Sequence, residues 1–300
     1  MVDSIKWPNG KKIAVLLTFD VDAETAHIAD QHNINRPSVL SMGTYGRRVG
    51  LKRVLEVLRK HNVPGTFFVP GATAELDPTV LERIIDQHHA VGHHGYLHKR
   101  SDMLSIEEEE AELVKGIEVL RKYTGKKPIG YRAPLWEMHS RTPDLLKKHG
   151  FVYDSSLQAD DVPYLIDGGD NSHLLEIPGT WLLDDWEQFA FSGDWTMPFQ
   201  IEEPDKVFRL WQAEFDGLYE EGRCFNLTMH PQLIGRSSRI ALLDKLISYM
   251  KEKPHVWFTT GDELAQYWQK GELEFEYIPF PNTDILFPLE NKNLKEMTRG

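Results

Sequence analysis

An α/β fold, with parallel strands inside and helices outside, is what this 300-residue sequence predicts. Three observations carry the expectation. Short β-rich apolar runs alternate with helical patterns along most of the chain. About seven such strands fall in one chain with no internal repeat and no low-complexity linker, which favours a (β/α) barrel over a doubly wound open sheet. The polar residues capable of chemistry each follow an apolar run, where the C-terminal ends of parallel strands collect function.

The elements follow in order. IAVLLTF (13–19) reads as a buried strand. In GLKRVLEVLRKH (50–61), Leu51, Val54, Leu55 and Leu58 share one helical face. GTFFVP (65–70) is the next strand, and a helix over 78–89 opens on Pro78 after Asp77. AVGHHG reads as a short strand and turn. Ser105 and Glu108 have capping-box spacing at the head of a helix over 105–124, which stops at Gly125 before Lys126, Lys127 and Pro128. PIGYRAP, a helix near 141–149, and FVYDSS repeat the alternation. LLEIP, a helix at 204–221, CFNLTMH, a helix at 238–252, VWFTT and a helix at 260–269 complete it. Residues 1–270 thus form the expected barrel. The tail 271–300, with Pro279, Pro281 and Pro288, is expected to be irregular and packed on it.

Composition narrows the function. With 41% hydrophobic and 27% charged residues, the chain can bury a sizeable core. A net charge of −12 argues against nucleic acid and against anionic membrane surfaces. Cys224 is the only cysteine, which excludes an intrachain disulfide and suits a buried thiol. IAVLLTF is too short for a signal peptide and ends in acids. No stretch approaches the roughly 18 apolar residues of a membrane span. A cytoplasmic protein is the expectation.

Candidate chemistry lies in a few segments. In TFDVDAE a strand ends in Asp20 and Asp22, with Glu24 beyond. Carboxylates at i and i+2 point the same way in a strand, so one could ligate a metal while the other takes a proton; equally, such acids can mark where a strand meets water. In HHAVGHHGYLH, His94 and His98 have the spacing that places two imidazoles on one face of a helical turn, suited to a shared divalent ion. His89 and His93 have the same spacing, but Gly92 and Gly95 set His94 in a turn, which favours the later pair. RAPLW supplies Arg132, able to grip a carboxylate, and Trp136. Asp154 in YDSS, His230 in TMHP, and Trp181, Trp186 and Trp195 in GTWLLDDWEQFAFSGDW complete the set.

Taken together, TFD with a second Asp, H-x-x-x-H, R-x-P, the aspartate–serine segment and the late strand-end His resemble, in order and spacing over about residues 12–265, the polysaccharide deacetylase family. The resemblance implies a distorted (β/α) barrel of about seven parallel strands in a single domain. It implies Asp20 as catalytic base, oriented by Arg132. It further implies His230 as general acid with Asp154 as its partner, and Asp22, His94 and His98 as ligands of one divalent ion, Zn²⁺ foremost among first-row ions. The usual TFDD is TFDVD here. With DAE, YGRR and EIPGTWLLDD, this spelling is similar to a branch of peptidoglycan-deacetylase-like proteins and cyclic imide hydrolases. Related ureide hydrolases lack the metal. The branch resembled often assembles as tetramers, so the resemblance implies a homo-oligomer, a tetramer foremost, as an expectation.

The expected activity is hydrolysis of a non-peptide C–N bond: N-deacetylation of an amino sugar or cleavage of a small amide. Cyclic imide or ureide hydrolysis is the alternative, and a non-catalytic metal-bearing carbohydrate-binding protein is the alternative of another class. Asp20 and His230 argue against the last, since binding needs neither base nor acid. The polar stretch 23–48, with Tyr45, Arg47 and Arg48, and the Trp-rich 181–195 are expected to overhang the metal and narrow its mouth. Trp136, Tyr45 and Arg48 are the expected substrate contacts.

Overall fold

The computed structural model describes residues 5–29, 33–168, 172–190 and 201–279. Nine strands form one sheet: β1 (Ile13–Asp20), β2 (Thr66–Val69), β3 (Ala90–His93), β4 (Gly130–Tyr131), β5 (Tyr153–Asp154), β6 (Tyr164–Asp167), β7 (His173–Glu176), β8 (Cys224–Met229) and β9 (Val256–Thr259). Their order is β6-β7-β5-β4-β3-β2-β1-β8, with β9 also on β1. β1 is the hub. β8 flanks it from Ala14 to Phe19. On its other edge β9 covers Ile13–Leu16, and β2 covers Thr18–Asp20. The sheet curls into a half-barrel, so the chain is a single α/β domain of the distorted (β/α) barrel kind. Among the described strands only β6 runs antiparallel to its neighbour. Five residues (168–172) separate it from β7, too few for the crossover a parallel pairing needs.

Twelve helices accompany the described strands: α1 (Thr25–Ile28), α2 (Pro37–Tyr45), α3 (Leu51–His61), α4 (Gly71–Leu76), α5 (Thr79–Ile85), α6 (Ile106–Thr124), α7 (Thr142–Lys148), α8 (Asp185–Phe189), α9 (Pro204–Glu221), α10 (Pro231–Ile234), α11 (Ser237–Glu252) and α12 (Gly261–Gln269). The capping box of α6 forms both ways, Glu108 N donating to Ser105 Oγ and Ser105 N to Glu108, and Gly125 ends the helix at φ 76°. α5 stops before the expected 89, because His88 turns left-handed at φ 62° and leads the chain into β3. None of the described helices is long and apolar enough to cross a membrane.

The period of two along β1 and β8 builds the site. Ile13, Val15, Leu17 and Phe19 face the helices with Phe225, Leu227 and Met229. Ala14, Leu16 and Cys224 face the interior with Phe68, Tyr153 and Leu175. Register continues this inner phase through Leu16↔Asn226 and Thr18↔Thr228, toward Asp20 and His230. The interior therefore turns polar as the strands reach their C-terminal ends. Its polar groups are paired: Thr18 Oγ1 donates to Leu227 O at 2.9 Å, and Asn226 Nδ2 to Pro178 O at 2.9 Å.

Of the tail, residues 271–279 are described. Leu273 is buried, and Leu165 of β6 bonds Glu276 O and Ile278 N at 2.7 and 2.8 Å. Trp195 and residues 280–300 lie outside the described residues.

Residues 37–61, in part expected as an overhanging polar segment, are helical throughout, with a wider π-turn at Gly46–Gly50 between α2 and α3. A Cβ on Gly50 would lie 1.9 Å from Pro231 O, immediately after His230. Gly50→Ala should therefore destabilise the protein by about 1–3 kcal/mol. Gly217→Ala, in open space on α9, should stabilise it by about 0.5–1 kcal/mol. Urea midpoints measure both; a Gly50→Ala midpoint at or above the parent's would show that the π-turn is not seated against α10.

Candidate active site

At the C-terminal ends of β1, β3 and β8, Asp20, Asp22, His94, His98 and His230 line one cavity of about 360 Å³, walled by Leu135, Trp136, Trp181 and Trp186. Asp20 ends β1, and Asp22 returns to its side because Val21 between them is buried among the core residues. Thr73 Oγ1 and Thr25 Oγ1 donate to the Asp22 carbonyl at 2.7 and 2.6 Å, pinning the turn.

Arg132, 0% exposed, follows β4 and is the cation beneath the site. Its Nη1 donates to Asp20 Oδ1 at 2.9 Å and Thr18 Oγ1 at 3.1 Å; Nε and Nη2 donate to Ser155 O and Oγ at 2.9 and 2.8 Å. Four of the five guanidinium N–H groups are thus bonded within the protein, as a buried charge requires. It occupies Asp20 Oδ1 and leaves Oδ2 toward the cavity, 3.7 Å from His94 Nε2 and 4.0 Å from His230 Nε2.

Asp22, His94 and His98 converge: His94 Nε2 lies 3.5 Å and His98 Nε2 3.7 Å from Asp22 Oδ1. His94 Nδ1 lies 2.8 Å from Arg132 O, which can only accept, so Nδ1 carries the proton and Nε2 presents a lone pair. Asp22 Oδ1 is buried without a hydrogen-bond partner among the described residues. Two nitrogen donors and an orphaned carboxylate oxygen are the donor set of a divalent ion such as Zn²⁺, so the residues fit a metal. Burial pushes His98 down to about 4, so it is neutral and able to ligate at pH 7. Burial alone would raise Asp22, but facing imidazoles, His98, His230 and His94, hold it below the usual aspartate range. His94 and His98 do not share a helical face as expected. They sit in a loop where Gly95 and His98 take φ 69° and 58°, their rings 4.9 Å apart and nearly perpendicular.

His230 Nε2 faces Asp22 Oδ2 at 3.7 Å. Its Nδ1 donates to Asp185 Oδ1 at 2.7 Å, and its backbone N donates to the same oxygen at 2.9 Å. Asp184 Oδ1 stands 3.7 Å from that Nδ1. Burial opposes protonation of His230, but the Asp185 bond and the charges of Asp184, Asp185 and Asp22 raise its pKa well above the ordinary histidine value. This corrects the expected partner: Asp154 does not touch His230. It lies beneath the site beside Glu176, its register partner, and both accept from Ser156 N, at 3.1 and 2.9 Å. Two carboxylates on one N–H cannot both be charged, and burial lifts Asp154 and, further, Glu176.

Two more expectations are corrected. Tyr45 and Arg48 do not line the cavity: the helical 37–61 carries Tyr45 to Gly235 O at 3.1 Å and leaves Arg48 exposed. Trp136 does line it, stacked on Trp181 at 4.4 Å. The rival histidines are structural, His89 accepting from Gly65 N at 3.2 Å and His93 lying 3.0 Å from Leu113 O. Asp184, Asp185 and Gln232, which donates to Asp22 Oδ2 at 3.4 Å, were not anticipated. The signal for the first two was present: paired acids closing the apolar run in WLLDDW.

Asp185→Asn removes the charge that holds His230 protonated. A raised folded pKa stabilises fully below the unfolded value near 6.5 and is lost as pH rises through the folded pKa. Activity requiring protonated His230 should fall on that same alkaline side. The variant should move the alkaline limb of the pH–rate profile down by about one unit or more, whereas Asp154→Asn should leave it in place. The opposite pattern would restore Asp154 as the partner.

The profile of the polysaccharide deacetylase family matches residues 8–153. A peptidoglycan deacetylase of Helicobacter pylori is 31% identical over 280 residues, covering 85% of this chain and 96% of its own. A crystal structure from Mycobacterium smegmatis, classed with the polysaccharide deacetylases, superposes with TM-score 0.88 at 39% identity, over 94% of this chain and 98% of that one. An allantoinase shares the fold, at TM-score 0.78 and 24% identity over 88% and 93% of the two chains. The chain belongs to the polysaccharide deacetylase family and is a hydrolase of carbon–nitrogen bonds other than peptide bonds.

Proposed function

We propose that this enzyme hydrolyses the C–N bond of a small amide, such as an N-acylated amino sugar, using one divalent ion held by Asp22, His94 and His98. The observation that carries the reading is the opposition of two clamped groups: Asp20, fixed by Arg132, and His230, fixed by Asp185, stand 4.0 Å apart above the three ligands. A divalent ion at such a site polarises a carbonyl oxygen and lowers the pKa of water.

The residues divide the remaining work. Asp20 Oδ2 accepts a proton from water as its oxygen bonds to the carbonyl carbon. His230 Nε2, protonated at neutral pH, gives its proton to the nitrogen as the C–N bond breaks, yielding a carboxylic acid and an amine. An amine is a poor leaving group, which is why an acid must stand opposite the base. Trp136, Trp181 and Trp186 exclude water and offer flat faces to a ring. A cavity of about 360 Å³ supports a small substrate over a passing glycan chain. Its planar aromatic walls also favour a cyclic imide or ureide as the second reading.

The test joins metal content to rate. Asp22→Ala, His94→Ala and His98→Ala should each lose the ion by elemental analysis, while His89→Ala and His93→Ala keep it. Asp20→Asn should keep the ion and lose about 10²–10⁴-fold in kcat. His230→Ala should harm amides more than activated esters. Full metal content in all three ligand variants would sink the assignment. A metal-loaded protein that binds amino-sugar amides without turnover would mark a binding protein.

A further inference from the structure

The catalytic cavity does not end at His98. A second cavity of about 370 Å³ shares Ala26, His98, Arg100 and Leu135 with it and adds Ala29, Lys99, Met103 and Leu104. In a chain of net charge −12, no acidic side chain lines this compartment among the described residues. Its walls are largely apolar, with Met103 and Leu135 73% and 50% exposed. Two cations edge it. Asp102 grips Arg100 through Nε and Nη2 at 3.0 and 2.7 Å, and Glu112 holds Lys99 at 3.0 Å.

Its side of the site identifies what it takes. His230 faces Asp22 Oδ2, whereas His94 and His98 face Oδ1 of the same carboxylate. The departing nitrogen must sit by His230 to receive its proton. The carbonyl's other substituent is then free to run toward His98 and into the second cavity. An acetyl methyl would leave that space empty.

We propose that the second cavity is an acyl-side subsite, and that the preferred substrate carries an apolar acyl segment of several carbons ending in a carboxylate. Apolar walls take the segment, and Arg100 and Lys99, each already paired with one carboxylate, donate their remaining N–H groups to the anionic end. The proposal rests on the amide-hydrolase reading, and its test separates the two.

The N-acetyl and N-glutaryl amides of glucosamine are compared with metal-loaded enzyme by release of glucosamine. The glutaryl compound should be favoured about tenfold or more in kcat/KM, the scale of burying extra methylenes in an apolar pocket. Met103→Trp, which fills the cavity from an exposed position, and Arg100→Ala should each collapse that ratio toward one. Turnover of the acetyl compound with no glutaryl preference overturns the subsite and leaves the hydrolase reading standing. If neither amide is turned over, calorimetry with glutarate and acetate decides: tighter glutarate binding, lost in both variants, supports the subsite, and equal binding overturns it.

Discussion

The buried pair of Arg132 and Asp20 is the constraint on which the rest of the site depends. A guanidinium at zero exposure is tolerable only with its donors satisfied, and its partners come from β1, through Thr18 and Asp20, and from the loop after β5, through Ser155. Ser155 Oγ in turn donates to Ile177 O after β7, and Asn226 of β8 reaches Pro178 O. One charge therefore ties together strands that the open half-barrel would otherwise leave unconnected across its interior. Losing one member of such a pair costs about 3–5 kcal/mol, because the other is left buried and unpaired. The same geometry has a chemical result: with Oδ1 held, Asp20 can act only through Oδ2.

A second clamp mirrors the first with opposite sign. Asp185 holds His230 by two bonds to one oxygen, so the imidazole has one orientation and one exposed nitrogen. Each reacting group is thus fixed by a partner of opposite charge behind it, and its free atom points into the same cavity. Beneath them, Asp154 and Glu176 share Ser156 N, while Ser156 Oγ donates to Asp154 and accepts from Ala133 N, next to Arg132. A carboxyl pair that must hold one proton is therefore built into the support of the Arg132 segment.

Much of this was legible in the sequence, for identifiable reasons. The inner phase of β1 and β8 follows from strand period alone, and it brings Asp20, Asp22 and His230 to one place. The capping box gave the start of α6, and the glycines around His94 separated it from the structural His89 and His93. What stayed hidden was long-range pairing. Asp154 and Asp185 both follow apolar runs, and nothing local tells which meets His230; the parallel bridge Asp184↔Thr228 decides it by laying that segment beside β8. Tyr45 and Arg48 were misplaced because GTYGRR, with two glycines, reads as a loop. In the fold those glycines, Gly43 and Gly46, let a continuous helix approach Ala23 and Gln232 closely.

The spelling TFDVD then has a physical meaning. In an alternating strand end, a residue between two inward carboxylates points outward, and here that position belongs to the core: Val21 is 1% exposed. Both acids reach the cavity, so the departure from adjacent aspartates is compatible with the proposed base and ligand roles. Selectivity must therefore be sought in the walls. There the chain accepts strain, with Leu135 and Trp136 successively left-handed at φ 56° and 57°, at about 1–3 kcal/mol each. That turn sets Trp136 flat against Trp181 and leaves Leu135 at the junction of the two cavities. On the proposed reading the strain thus falls where the substrate is chosen, while the clamps beneath, built on paired charges, carry the chemistry.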